Sequence, residues 1–196
     1  LDLAGGAFFR GQLAAAQGNY AEAAAEYRRA LAARPVFSDG WRRLGDVQAQ
    51  QGDRQGAAES YGRAVEQRPD NIRAVRGLAA LADAQGDRAR ALQLLRDALP
   101  AAGNDGDFVN AYLQYEAQHG EPQRALDLRR RAAQAAPQDT NNRREIALLL
   151  AATGKHDAAV AELETILAEE GQRLPTVAAL AQVYASAGDT ARGDEV

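Results

Sequence analysis

The stretch SDGWRRLGDVQAQQGDRQGAAESYGRAVEQRPDN, Ser38 to Asn71, holds two apolar-periodic runs split by Gly52-Asp53 and closed by Pro69. Trp41, Leu44 and Val47 precede the glycine at helical spacing, and Ala57, Tyr61, Ala64 and Val65 follow it in the same rhythm. That rhythm is the mark of amphipathic helices. Glycine supplies the left-handed conformation that a helix C-terminus favours. The aspartate after it can accept a hydrogen bond from the free N–H groups opening the next helix. Proline cannot continue that helix. The stretch therefore predicts helix, turn, helix, stop.

The same pattern extends in both directions. Gly18, Gly52, Gly86, Gly120, Gly154 and Gly188 stand 34 residues apart, followed by Asn19, Asp53, Asp87, Glu121, Lys155 and Asp189. Five residues after the first five glycines come Ala23, Ala57, Ala91, Ala125 and Ala159. Pro35, Pro69 and Pro137 end repeats on the same period, and Gly103 and Gly171 replace proline in repeats three and five. A fixed period of this length predicts a repeat array. We place its units at about 4–37, 38–71, 72–105, 106–139 and 140–173, with a partial sixth at 174–196, as one all-α array over 1–196.

Small residues (Gly11, Gly45, Ala79, Ala147, Ala181) fall seven before the turn glycine and are expected to face the alanine stripe. Ala30, Ala64, Ala98 and Ala132 are expected to pack toward the next repeat, with Tyr27, Tyr61, Leu95 and Leu163 filling the space beside them. Arg10, Leu113 and Arg129 break this size pattern. The sixth repeat stops within its second helix. We therefore expect an excerpt of a longer array, with self-association through the truncated repeat as one consequence.

Composition excludes several classes of function. The 196 residues carry 27 acids against 23 bases, and only one of the bases, Lys155, is a lysine. No basic face or tail points to nucleic acid. There is no cysteine for thiolate chemistry or metal ligation. No apolar run approaches the roughly 20 residues of a membrane helix, so direct membrane insertion is not expected. His119 and His156 lie beside turns without metal-ligand spacing, and Ser38, Ser60 and Ser186 have no histidine at a suggestive offset. No glycine sits in a phosphate-loop pattern. Neither catalysis, a cofactor nor a metal is expected.

The repeats resemble the tetratricopeptide repeat family. The resemblance rests on Trp41, Leu44, Gly45, Gly52, Ala57, Tyr61, Ala64 and Pro69 in repeat two and on the shared register of the others. It implies a right-handed superhelical solenoid of antiparallel helix pairs, a non-enzymatic scaffold binding a protein or peptide in a concave groove lined by first helices. Carried over by position, the groove residues include Asp39, Arg42, Arg43, Asp46, Arg73, Arg76, Asn110, Gln114, Asn141 and Arg144. Arginine forks suit carboxylates and amides pair with peptide backbone. Against this stands self-pairing, with Asp39–Arg43 and Arg42–Asp46 both at i,i+4. The carboxylate clamp of chaperone-binding members wants lysine and asparagine where this chain has Arg42 and Asp46, and a basic residue where it has Gly77, so a chaperone tail is not the expected ligand. Phe8 and Phe9 are expected to meet an upstream repeat. Two alternative readings are a periplasmic spacer in a cellulose-type exopolysaccharide export system and an accessory domain of a larger enzyme such as a glycosyltransferase. The periplasm is favoured over the cytoplasm only under the first.

Overall fold

A computed structural model describes residues 2–103, 105–171, 173–189 and 192–193. Most of the second helix expected in the sixth repeat lies outside them. The described residues form eleven helices: α1 (Leu3–Ala16), α2 (Tyr20–Ala33), α3 (Ser38–Gln50), α4 (Arg54–Gln67), α5 (Ile72–Ala84), α6 (Arg88–Ala102), α7 (Gly106–His119), α8 (Pro122–Ala135), α9 (Thr140–Ala152), α10 (His156–Glu170) and α11 (Leu174–Ala187). The architecture is all-α, built of stacked antiparallel pairs. The chain divides into two compact units, residues up to Tyr112 and residues from Leu113. In the first, α1/α2, α3/α4 and α5/α6 pair, while α2 packs on α3 and α4 on α5. In the second, α8 packs on α9, α9 pairs with α10, and α11 lies against both.

One hydrogen-bond pattern makes the turns. Gly18, Gly52, Gly86, Gly154 and Gly188 have φ between +79° and +82°. In each turn the next amide reaches back to the carbonyl five residues earlier, as in Asn19 to Ala14 (2.8 Å) and Asp53 to Gln48 (2.9 Å). This is the glycine-terminated helix end in which orphan carbonyls are satisfied. The side chains of Asp53 and Asp87 then cap α4 and α6 at 2.9 and 3.0 Å, but Asn19, Glu121 and Lys155 make no such bond. The fourth turn differs. There the Glu121 N–H donates to Oε1 of the buried Glu116 (3.2 Å), so a side-chain oxygen stands in for that residue's carbonyl. The entries to α5, α7 and α9 are capped by Asn71, Asp105 and Asp139.

Packing follows size complementarity. The five alanines after the turns, Ala23, Ala57, Ala91, Ala125 and Ala159, are fully buried. Small residues of the first helices admit large ones from the second. A Cβ added at Gly11 would lie 2.7 Å from the Tyr27 ring, and one at Gly45 2.7 Å from the Tyr61 ring. A Cβ added at Gly77 would lie 2.6 Å from the other edge of the Tyr61 ring. Gly77 is therefore a packing residue before it is a groove position.

Two sequence expectations, for Ala132 and Phe8, are corrected, and the departures at Arg129 and Arg10 are explained. Ala132 is exposed. Arg129, in the large apolar slot, reaches across to α9: its Nη1 donates to Asn142 Oδ1 (3.2 Å) and Asn142 Nδ2 donates back to the Arg129 carbonyl (3.1 Å). Leu126 and Ala133 carry the apolar contact of α8 instead. Burial pulls the Arg129 guanidinium pKa below its ordinary value, against the opposing charges of Glu145 and Asp139. Arg10 is held outside the core by an ion pair to Glu26 (2.8 Å). Phe8 packs within the first unit, its ring 4.8 Å from Phe37 and 5.7 Å from Tyr27, so it needs no upstream repeat; Phe9 is exposed.

Candidate interaction face of the first helices

The groove positions of the first unit lie on α3 and α5, with Asn110 on α7. Arg42 is only 6% exposed. Its Nη1 donates to Asp46 Oδ2 at 2.7 Å and its Nε lies 3.5 Å from Asp39 Oδ1. Asp46 is shared, since its other oxygen accepts from the Tyr61 hydroxyl at 2.9 Å. Burial raises the Tyr61 pKa, and the charge of Asp46 raises it further. Burial also raises that of Tyr27, with Arg43 acting against it. The expected Asp39–Arg43 pair does not form: Asp39 turns to Arg42, and Arg43 is half-buried with an Nε that has no hydrogen-bond partner.

Arg73 and Arg76 stand three residues apart on α5. Both are exposed, and neither forms an ion pair or hydrogen bond among the described residues. Asn110 is exposed as well.

In the second unit, Gln114 is exposed on α7. Arg144 donates through Nη2 to Asn141 Oδ1 and through Nη1 to Thr176 Oγ1 at 3.5 Å, which ties these two groove positions to each other. The neighbouring Arg143 is engaged by Glu162 at 2.6 Å and by Glu169. Each candidate arginine is thus either locked to neighbours (Arg42, Arg144) or open to an outside anion (Arg73, Arg76). Arg43 lies between these cases.

Ser186 lies 3.4 Å from His156 Nδ1, but its hydroxyl donates to the Val183 carbonyl at 2.8 Å, the bond of an ordinary helix serine. His119 stacks on Tyr115, with ring centres 4.6 Å apart. Among the described residues no cluster of three His, Cys, Asp or Glu could hold a metal, and no helix is long and apolar enough to cross a membrane.

Two family models described as tetratricopeptide repeat match residues 8–72 and 48–114, together more than half of the chain. The chain belongs to the tetratricopeptide repeat family, whose fold is a protein–protein interaction module. Among curated proteins none matches it by sequence. Solved structures match it in fold. A tetratricopeptide repeat protein from Parabacteroides merdae ATCC 43184 superimposes with a TM-score of 0.76 at 18% identity, covering 98% of this chain and 76% of the other. YrrB, described as a TPR protein with an unusual peptide-binding site, gives 0.63 at 17% identity over 86% and 87%. The TPR2B domain of yeast Sti1, in complex with pHsp70, gives 0.54 at 21% identity over 57% and 91%.

Proposed function

We propose that this chain is a non-enzymatic scaffold whose first-helix face, in residues up to Tyr112, binds an extended acidic peptide through Arg73 and Arg76, with Arg43 beside them. The carrying observation is that Arg73 and Arg76 are exposed without an internal carboxylate, whereas Arg42 is consumed by Asp39 and Asp46. A planar guanidinium accepts a carboxylate in two parallel bonds and stays charged at any physiological pH. Rigid helices present the pair with little backbone reorganisation on the protein side. YrrB, described by its peptide-binding site, and the yeast Sti1 domain, described in complex with pHsp70, support a peptide as the class of ligand.

The test is anisotropy of a fluorescein-labelled hexapeptide of alternating alanine and glutamate. Loss of two exposed charge pairs removes about 1–2 kcal/mol, a roughly 5- to 30-fold weakening in Arg73→Ala/Arg76→Ala. Helicity and melting should stay at wild-type values. Equal affinity of the double variant and wild type would show that these arginines are solvated surface only.

A further inference from the structure

A second feature lies between successive second helices. α2, α3 and α4 enclose a cleft of about 580 Å³. Small-ligand sites span about 300–1,000 Å³. Leu31, Trp41 and Leu44 form its apolar side, Gln48 and Ser60 its polar floor, and Arg28 and Arg63 line it from α2 and α4. A smaller cleft one repeat later, of about 30 Å³, is lined in part by Leu78 and Arg90. Leu78 repeats Leu44, but Arg90 stands where the first cleft has Gly56. A Cβ on residue 56 would fall 2.3 Å from the ends of the Gln48 and Asp53 side chains, so a larger residue there would displace both.

Its charges are unevenly committed. Asp53 caps α4 through the Gly56 N–H at 2.9 Å. Glu59 precedes Arg63 by the four residues that favour a helical ion pair, yet it accepts from Gln55 Nε2 at 3.3 Å. Arg63 instead lies over the Trp41 ring, 5.0 Å from its centre. Neither Arg63 nor Arg28 forms an ion pair among the described residues. A guanidinium placed over an indole ring can still offer N–H donors to a carboxylate.

We infer that this cleft is a second binding site, separate from the first-helix face, for a peptide segment that presents a large apolar side chain next to a carboxylate. The apolar side chain lies against Leu31, Trp41 and Leu44. The carboxylate meets Arg63 and Arg28, while Ser60 and Gln48, bonded to each other at 2.6 Å, close the floor.

The chain has a single tryptophan, so one indole N–H resonance reports on the site. The Trp41 indole shift is followed by NMR during titration with acetyl-Leu-Glu-amide. A saturable shift is expected, weaker by about threefold or more with acetyl-Leu-Gln-amide. The shift should be lost in Arg28→Ala/Arg63→Ala and kept in Arg73→Ala/Arg76→Ala, which separates this site from the first-helix face. Circular dichroism confirms that the rim variant stays folded. The proposal is overturned by any of four results: no saturable shift, equal response to the glutamine peptide, full response in Arg28→Ala/Arg63→Ala, or 4-methylpentanoate binding as tightly as the dipeptide. The last outcome would make the cleft a site for free small acids.

Discussion

Two glycine-to-alanine substitutions in adjacent helices should change stability in opposite directions. At Gly45 an added Cβ would stand 2.7 Å from Tyr61 Cδ1, 2.8 Å from Cε1 and 3.1 Å from Cγ. Carbon pairs are comfortable only at about 3.5–4.0 Å. The ring cannot retreat, because its far edge abuts α5 at Gly77 and its hydroxyl is tied to Asp46 at 2.9 Å. Overpacking of this kind costs about 1–3 kcal/mol. The helical preference of alanine over glycine returns about 1 kcal/mol, so Gly45→Ala should be destabilising by up to roughly 2 kcal/mol. At Gly62, in the middle of α4, an added Cβ meets nothing within 4 Å. There only the propensity gain operates, and Gly62→Ala should stabilise by about 0.5–1 kcal/mol. Thermal melting by circular dichroism separates the two, at a few degrees per kcal/mol for a chain of this size. A Tyr61→Leu background should relieve most of the Gly45→Ala penalty, since Ala79 and Leu95 are the corresponding pair one repeat on. If Gly45→Ala melts as high as Gly62→Ala, or its penalty is undiminished in the Tyr61→Leu background, the wedge explanation is wrong.

Tyr61 also predicts a pH dependence. Its pKa is raised in the folded chain, first by burial and then by Asp46, so the folded state keeps a proton that the unfolded tyrosine releases near pH 10. The stabilising contribution is whole below about pH 10 and declines as the pH rises above it toward the folded pKa. Urea unfolding between about pH 9 and 11 should therefore show a different pH slope in Tyr61→Phe than in wild type, the tyrosine's own loss being absent from the variant; parallel curves would refute this. Gly86→Ala places a Cβ at φ +82° and should cost about 1–2 kcal/mol, checked by the same melts. A wild-type melting curve would mean that the turn relaxes out of the left-handed region.

The fold was legible because each repeat states it independently. Period, turn glycine and alanine stripe agree, and the same hydrogen-bonded helix end recurs at five of the glycines. One signal of the same period went unused: Asn71, Asp105 and Asp139 sit 34 residues apart and cap the first helices. Arg129 was legible only as an anomaly, because its resolution depends on Asn142 across the α8–α9 contact, a pairing that intrahelical spacing does not reveal. The cleft was invisible for the same reason. It arises from what Gly56 omits beside Gln48 and from where Arg63 lies relative to Trp41.

The candidate site shows how far register alone can go. Arg42, Arg76 and Arg144 occupy the same repeat position, so position by itself assigns them one role. Their outcomes differ because their helical neighbours differ. Arg42 has Asp39 three residues before it and Asp46 four after, and both hold it. Arg144 has Asn141 before it and bonds to it. Arg76 has Arg73 before it and Ala80 after, a like charge and an empty position. Two arginines at i,i+3 repel weakly on a helix. Folding contributes nothing to offset that repulsion here, since no acid of the described structure pairs with either residue. An external carboxylate would offset it, and the gain from binding would then include relief of the repulsion between Arg73 and Arg76. The reading therefore ranks the two faces: a peptide carboxylate should lose more affinity on removal of Arg76 than on removal of Arg144, whose bonds are already made inside the chain.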